Sequence, residues 1–261
     1  MTLSSRHALR VLVVPLICVT ACDFESQIAP RVELDVVVDS TGMVEFVNAE
    51  GYTINLTRMR VAFENVEFTT GGEMHMAMWR PLVDLVIPTA YAHPGHYAGG
   101  EVIGEMDGRF VVDWLDEGAR LGTAVLIESD YNGANFVFTR AQPGDRIDAD
   151  DPIIGHTFDI AGEATKDGET WTFSGFVDED EGRRVIGLPF ELEVDASTDE
   201  TLGLQLLPQD PAEDETAFDD LDFAAMDEDG DGVVQIVPSE AAGNVLKKHL
   251  QIHDHYAVTM E

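Results

Sequence analysis

The segment Arg31-Val-Glu-Leu-Asp-Val-Val-Val-Asp39 decides the fold class of this chain. Successive side chains of a β-strand point to opposite faces, so alternating apolar residues share one face. Four apolar residues of this segment alternate in that way: Val32, Leu34, Val36 and Val38. The pattern predicts a half-buried strand with one face in a hydrophobic core.

Short apolar segments with the same character continue as far as Pro208, and strand patterns outnumber helix patterns heavily there. Asn132-Gly133 and Asp167-Gly168 are strong hairpin signals, and Asp107-Gly108 separates two further predicted strands,. Short strands with regular turns predict an antiparallel β-sandwich or barrel. The further predicted strands are residues 52–56, 59–63, 101–104, 109–114, 124–128, 135–140, 158–164, 169–176, 185–194 and 202–207.

The pattern changes after Pro208. Residues 209–216 form an acidic, proline-bearing linker, and residues 217–226 predict a short helix. Ser239 is expected to be the N-cap of a second helix, with Glu240 in its first turn,. The apolar residues of that helix recur at intervals of three and four, namely Ala242, Val245, Leu246 and Leu250,. The C-terminal part therefore predicts a helix, a loop and a helix.

The N-terminus has the features of a secretory signal. Arg6 and Arg10 precede the apolar residues 11–17, and small residues lead to Cys22 in the run Val19-Thr-Ala-Cys22,. The apolar run is shorter than the roughly 20 residues that a membrane-spanning helix needs. The run ending at Cys22 resembles the lipobox of bacterial lipoproteins. The resemblance implies that Cys22 is acylated and anchors the chain in the cell envelope, on the periplasmic or outer-surface side.

Charge is the second strong signal in the composition. The chain has 50 acidic and 15 basic residues, a formal net charge of −35. This balance argues against nucleic-acid binding, which needs basic side chains, and favours solubility in saline surroundings and attraction of cations. Both cysteines, Cys18 and Cys22, belong to the targeting segment, so no disulfide is expected in the exported domain. Its stability must then come from its core, from bound ions, or from both.

The loop from Asp227 to Gln235 has carboxylates at alternate positions followed by glycine. Ca²⁺ takes six to eight oxygen ligands, which such a loop supplies. The segment resembles an EF-hand or dockerin-type calcium loop. A glutamate is expected at the twelfth position, where this chain has Pro238, so Glu240 would substitute and the affinity would be weak, of about 10⁻⁴ to 10⁻³ M,. The resemblance implies these ligands: Asp227, Asp229, Asp231, the Val233 carbonyl, Gln235 and Glu240. The alternative is an acidic turn that binds no ion firmly.

Two groups of histidines predict a transition-metal site for Zn²⁺, Cu²⁺ or Ni²⁺. His93 and His96 lie in a Pro-Gly turn, whereas His249, His253 and His255 are near the C-terminus. On a continuous helix His249 and His253 would share a face, and the two groups would meet if that helix packs on the turn. The alternative is that His249 faces the core and the others are solvated or hydrogen-bonded.

A third candidate is a stripe of methionines, whose thioethers favour Cu(I). Met74, Met76 and Met78 would share one face of a strand. Methionines at this spacing more often fill a core, and the sequence favours that interpretation.

The sequence contains no familiar catalytic motif, such as a Gly-x-Ser-x-Gly elbow or a phosphate-binding loop,. It predicts a non-enzymatic, lipid-anchored metal-binding protein that stores or hands on a transition metal and has a structural Ca²⁺ loop. The alternatives are a structural or adhesion module that calcium only rigidifies, with an unidentified protein or glycan partner, and a metal-dependent hydrolase. The predicted organisation is a signal peptide (1–21), a tether (22–30), a β-sandwich (31–208) and an acidic linker with helix, calcium loop and helix (209–261).

Overall fold

A computed structural model describes residues 30–70 and 100–260 of the chain, and these are mainly β. The helices of this part are α1 (Phe223–Met226) and α2 (Ala241–Leu250), followed by a 3-10 turn at His253–His255. Its strands, in chain order, are β1 (Arg31–Asp39), β2 (Phe46–Val47), β3 (Thr53–Thr70), β4 (Glu101–Asp113), β5 (Arg120–Ile127), β6 (Ser129–Tyr131), β7 (Gly133–Phe138), β8 (Phe158–Lys166), β9 (Glu169–Val177), β10 (Arg184–Leu188), β11 (Leu192–Val194), β12 (Leu202–Leu206), β13 (Val233–Ile236) and β14 (Tyr256–Met260).

Twelve of these strands form one large sheet in the order β13-β9-β8-β3-β4-β5-β1-β12-β14, with β2 and β7 on β3 and β10 on β7. The long strand β3 pairs with β8 along its first half and with β7 along its second. The predicted sandwich-like, mainly β class is confirmed. The sheet is mixed rather than wholly antiparallel, because β1 pairs with β12, and β9 with β13, in parallel.

One hydrophobic core joins the strands to the C-terminal residues. The predicted face of β1 is confirmed, since Leu34, Val36 and Val38 are buried. Phe223 and Leu246 from the two helices belong to the same cluster. Full burial of such a side chain contributes about 1.5–3 kcal/mol, so the C-terminal segment contributes to the stability of the whole fold.

One of the two predicted hairpins is confirmed and the other is wrong. Asp167 and Gly168 have φ values of 53° and 86° and join β8 to β9. Positive φ at both central residues favours a tight two-residue hairpin turn. Asn132-Gly133 does not join a hairpin, because β5 pairs with β1 and β4 whereas β7 pairs with β3 and β10. The Asn132 N–H donates to the Thr69 carbonyl at 3.0 Å, so this turn leads the chain to β3.

The predicted break at Asp107-Gly108 is also wrong, because β4 continues through it. Glu64 pairs with Arg109 but Val66 pairs with Met106, so the pairing register shifts at this point. Extra residues on one strand of a pair form a β-bulge, which bends a strand without ending it. Residues 52–56 and 59–63, predicted as two strands, likewise belong mostly to the single strand β3.

The C-terminal region contains two strands that the sequence did not predict, β13 and β14. The predicted helix over 217–226 is confirmed only for its last turn, Phe223–Met226. Asp220 has φ 64°, a left-handed conformation that interrupts a helix, and the Asp222 side chain caps α1 by accepting from the Ala225 N–H,. Helix α2 has Glu240 rather than Ser239 at its N-cap.

Candidate calcium site

Tyr52 holds the start of helix α1, which precedes the acidic loop of residues 227–235. Its hydroxyl donates to Asp222 Oδ1 at 2.6 Å and accepts from the Ala224 N–H at 3.0 Å. The Tyr52 ring contacts the Phe223 ring with centroids 5.2 Å apart. The Lys166 ammonium lies over the Tyr52 ring, 4.7 Å from its centroid. The Tyr52 hydroxyl is also the main reason why the pKa of Asp222 lies below its usual value. Helix α1 is therefore fixed to the start of β3.

Asn48 provides a second attachment that sequence reasoning missed. Its side-chain amide donates to the carbonyls of Phe218 and Leu221, each at 3.0 Å, and its oxygen accepts from the Tyr52 N–H at 2.9 Å. Asn48 is 3% exposed, so these bonds are shielded from water. An isolated asparagine near a turn carries no sequence signal of contacts about 170 residues away.

Asp227 organises the loop itself. Its Oδ1 accepts from the N–H groups of Gly230 and Asp231, and its Oδ2 accepts from the Gly232 N–H and the Trp171 indole at 3.0 and 3.2 Å. Desolvation alone would raise the pKa of Asp227, but these donors outweigh it and hold the pKa below its usual value. The carboxylate is therefore ionised and oriented by the loop.

Three carboxylates of the loop come close together. Asp227, Asp229 and Asp231 each offer an oxygen, and these oxygens lie within 4.8 Å of one another. Over residues 30–70 and 100–260 this is the one group of three or more such side chains with metal-ligand spacing. Like charges at this distance repel, and a cation between them removes that repulsion.

The other predicted calcium ligands lie after the cluster. Val233 donates its N–H to Asp231 Oδ1 at 2.9 Å, and Gln235 pairs with Ser174 of β9. Glu240 is outside the close group in the part of the chain that the structure describes. The structure thus brings together the three aspartates of the six predicted ligands.

The loop is continuous with the edge of the large sheet. The Thr172 N–H donates to the Gly232 carbonyl at 2.9 Å, where β13 begins to pair with β9. Trp171, whose indole bonds to Asp227, is the preceding residue of β9 and is buried. Its alternation with Phe173 indicates an inward-facing aromatic residue, but no sequence pattern identifies the carboxylate that it contacts.

Part of the predicted transition-metal site lies outside the described residues, namely His93 and His96. Helix α2 ends at Leu250, so His249 and His253 do not share one continuous helix. His253 Nε2 lies 3.3 Å from Asp254 Oδ1. Among the described residues, the three C-terminal histidines do not form a group of three metal ligands.

The two other C-terminal histidines are buried. His249 is 7% exposed, and its Nε2 is 4.0 Å from Asp220 Oδ2. His255 Nδ1 is 2.8 Å from the Leu207 carbonyl. Burial lowers the pKa of His255, although the Leu207 carbonyl opposes this effect. His249 thus lies on the buried side of α2, as the alternative interpretation expected.

Cys22 and the methionines at 74, 76 and 78 also lie outside the described residues. The described helices include none that is long and apolar enough to cross a membrane.

Comparisons with protein-family models, with curated proteins and with solved structures give no match to this chain.

Proposed function

We propose that this chain is a non-enzymatic, lipid-anchored protein of the cell envelope whose β-fold is stabilised by Ca²⁺ in the loop from Asp227 to Gln235. One observation carries the proposal: three carboxylates within 4.8 Å of one another, in a loop joined to the sheet by Trp171. The spacing of the loop and the net charge of −35 support it independently.

The ligand chemistry favours Ca²⁺ over transition metals at this loop. Every side chain of the close group offers oxygen and none offers nitrogen or sulfur. Ca²⁺ prefers hard oxygen ligands and accepts the irregular geometry of a flexible loop. With Glu240 outside the close group, we expect the weak affinity of extracellular calcium modules, about 10⁻⁴ to 10⁻³ M,. An ion bound at that strength suits a constant structural role.

The consequence of binding would be mechanical. Calcium would remove the charge repulsion among Asp227, Asp229 and Asp231. Asp227 in turn accepts a hydrogen bond from the indole of Trp171 in β9. The loop leads directly into β13, the terminal strand of the large sheet. Fixing the loop therefore fixes the edge of the sheet, which fits a structural or adhesion module.

The lipid anchor rests on the lipobox-like run that ends at Cys22. An acidic surface near a membrane would be repelled by anionic headgroups, so a covalent anchor would supply the attachment that charge does not. Storage or transfer of a transition metal stays a prediction of the sequence. Fewer observations support it, because His249 and His255 are buried in the core, where His255 already contacts the Leu207 carbonyl.

Thermal unfolding with and without calcium tests the proposal. At 10 mM Ca²⁺, roughly ten to a hundred times the expected Kd, the melting temperature should rise by about 3–10 °C. Asp229→Ala should abolish most of the rise, because it removes an oxygen ligand and a charge of the close group. Glu228→Gln removes the same charge from the adjacent exposed residue and should keep the rise. No rise in the wild-type protein, or equal losses in both variants, would contradict the proposal.

A further inference from the structure

Glu179, in the turn after β9, is an anomaly of this fold. Its side chain is 1% exposed, and neither carboxylate oxygen has a hydrogen-bond partner among the described residues. Its backbone N–H donates to the buried Thr157 hydroxyl at 3.2 Å, so the residue is held inward. Buried polar groups are nearly always paired, because an unpaired group loses its hydration without compensation.

The charged and titratable groups that face Glu179 come from three elements. Lys247 belongs to α2, Arg183 and Asp180 lie in the turn of Glu179 itself, and Tyr256 begins β14. The Lys247 ammonium is 2.8 Å from Asp180 Oδ1, so the cation from α2 is bonded to a different carboxylate. Tyr256 is fully buried and donates its hydroxyl to the Leu250 carbonyl at 2.7 Å. Glu179 therefore lies against the C-terminal segment without a direct counter-ion.

Burial raises the pKa of Glu179 to about 7, and the more distant Lys247 and Arg183 offset this only in part. The carboxyl group is therefore uncharged in mildly acidic solution and ionised in alkaline solution. The charged form is the one that the apolar surroundings disfavour.

We propose that Glu179 is a proton-operated lock on the C-terminal segment formed by helix α2 and strand β14. The protonated carboxyl group allows α2 and β14 to pack over it, and loss of the proton favours their release from the sheet. This device is independent of calcium, and it acts on the helix and strand that follow the acidic loop. It would make the closure of that segment respond to the pH of the surrounding solution.

The direction of the effect follows from the two pKa values. The pKa is about 7 in the closed state and 4.5 in an exposed glutamate. The closed state is fully favoured below 4.5, loses stability as the pH rises towards 7, and changes little above that value. Over the whole range the opening constant rises by about 300-fold, and between pH 5 and 8.5 by about 75-fold.

Hydrogen exchange of the amides of α2 and β14 tests the lock. Protection factors, corrected for the intrinsic exchange rate, should fall by about 75-fold between pH 5 and 8.5 in the wild-type protein. Glu179→Gln replaces the carboxyl group by a neutral side chain of similar shape, and its protection should lose this dependence. Glu181→Gln removes an exposed charge from the same turn and should behave as the wild type. Parallel profiles for wild type and Glu179→Gln would overturn the proposal.

A second measurement keeps the test valid if Glu179→Gln does not fold. A ¹³C NMR titration of side-chain carboxyl groups in the wild-type protein should show one glutamate that titrates near pH 7. Titration of every glutamate below about pH 5.5 would overturn the proposal.

Discussion

Asn48→Ala tests whether the turn before α1 is part of the core of the sheet or is only appended to it. Asn48 lies before β3 and bonds to the carbonyls of Phe218 and Leu221 in the turn before α1. If that turn were an appendage, the loss of these bonds would leave the stability of the sheet unchanged. If it is part of one core, the whole fold should lose stability.

The magnitude follows from the groups that the substitution leaves unpaired. Alanine removes the partner of the Leu221 carbonyl and of the Tyr52 N–H, each within 3.0 Å of the Asn48 side chain. The Phe218 carbonyl loses its bond to Asn48 but keeps one from the Leu221 N–H at 3.3 Å. An unsatisfied buried group costs about 1–3 kcal/mol, and water entering the turn would favour the lower figure. With two groups left unpaired, we therefore expect a loss of about 2 kcal/mol in the free energy of unfolding.

Urea unfolding followed by circular dichroism would measure this loss, with Asn55→Ala as the control. Asn55 lies on β3 and is exposed, so its substitution should change the stability by less than about 0.5 kcal/mol,. A loss below about 1 kcal/mol for Asn48→Ala, or equal losses for both variants, would refute the reasoning. Two separate unfolding transitions in the wild-type protein would also refute it, because they would show that the turn before α1 unfolds separately from the sheet.

Two further predictions concern the sheet edge and the anchor. A side chain at Gly175 would place its Cβ 1.9 Å from the Ile236 carbonyl oxygen. Gly175→Ala should therefore displace β13 and reduce the rise in melting temperature that calcium causes. An unchanged rise would argue against coupling between β13 and the calcium loop. Growth with a radiolabelled fatty acid should label the wild-type protein and leave Cys22→Ser unlabelled, whereas an unlabelled wild-type protein, or equal label in both, would exclude acylation of Cys22 as the anchor.

The sequence predicted those strands whose burial is regular. The burial of β1 alternates from Arg31 to Val38. The hairpin at Asp167-Gly168 follows from two residues that accept positive φ,. Asn132-Gly133 carries an equally strong local signal, but its flanking strands pair elsewhere because the core pairs β7 with β3 and β10. A turn signal specifies the local backbone and does not specify the partner of a strand.

The C-terminal strands were missed for a different reason. β13 has only four residues and alternates over Val234 and Ile236, too short a run to distinguish from a loop,. The parallel pairing of β13 with β9 brings together residues about 60 apart in sequence. The spacing of the aspartates at 227, 229 and 231 was visible in the sequence, whereas the indole of Trp171 on Asp227 depends on that unpredicted pairing.

Terbium luminescence tests the central claim most directly, because Tb³⁺ occupies calcium sites and emits when a nearby tryptophan is excited. The Trp171 indole nitrogen is 3.2 Å from Asp227 Oδ2, so an ion held by the loop would lie close to this ring. We predict sensitised emission from the wild-type protein that Ca²⁺ displaces and that is largely lost in Trp171→Phe. Emission that Ca²⁺ does not displace, or that persists in full in Trp171→Phe, would contradict a calcium site at this loop.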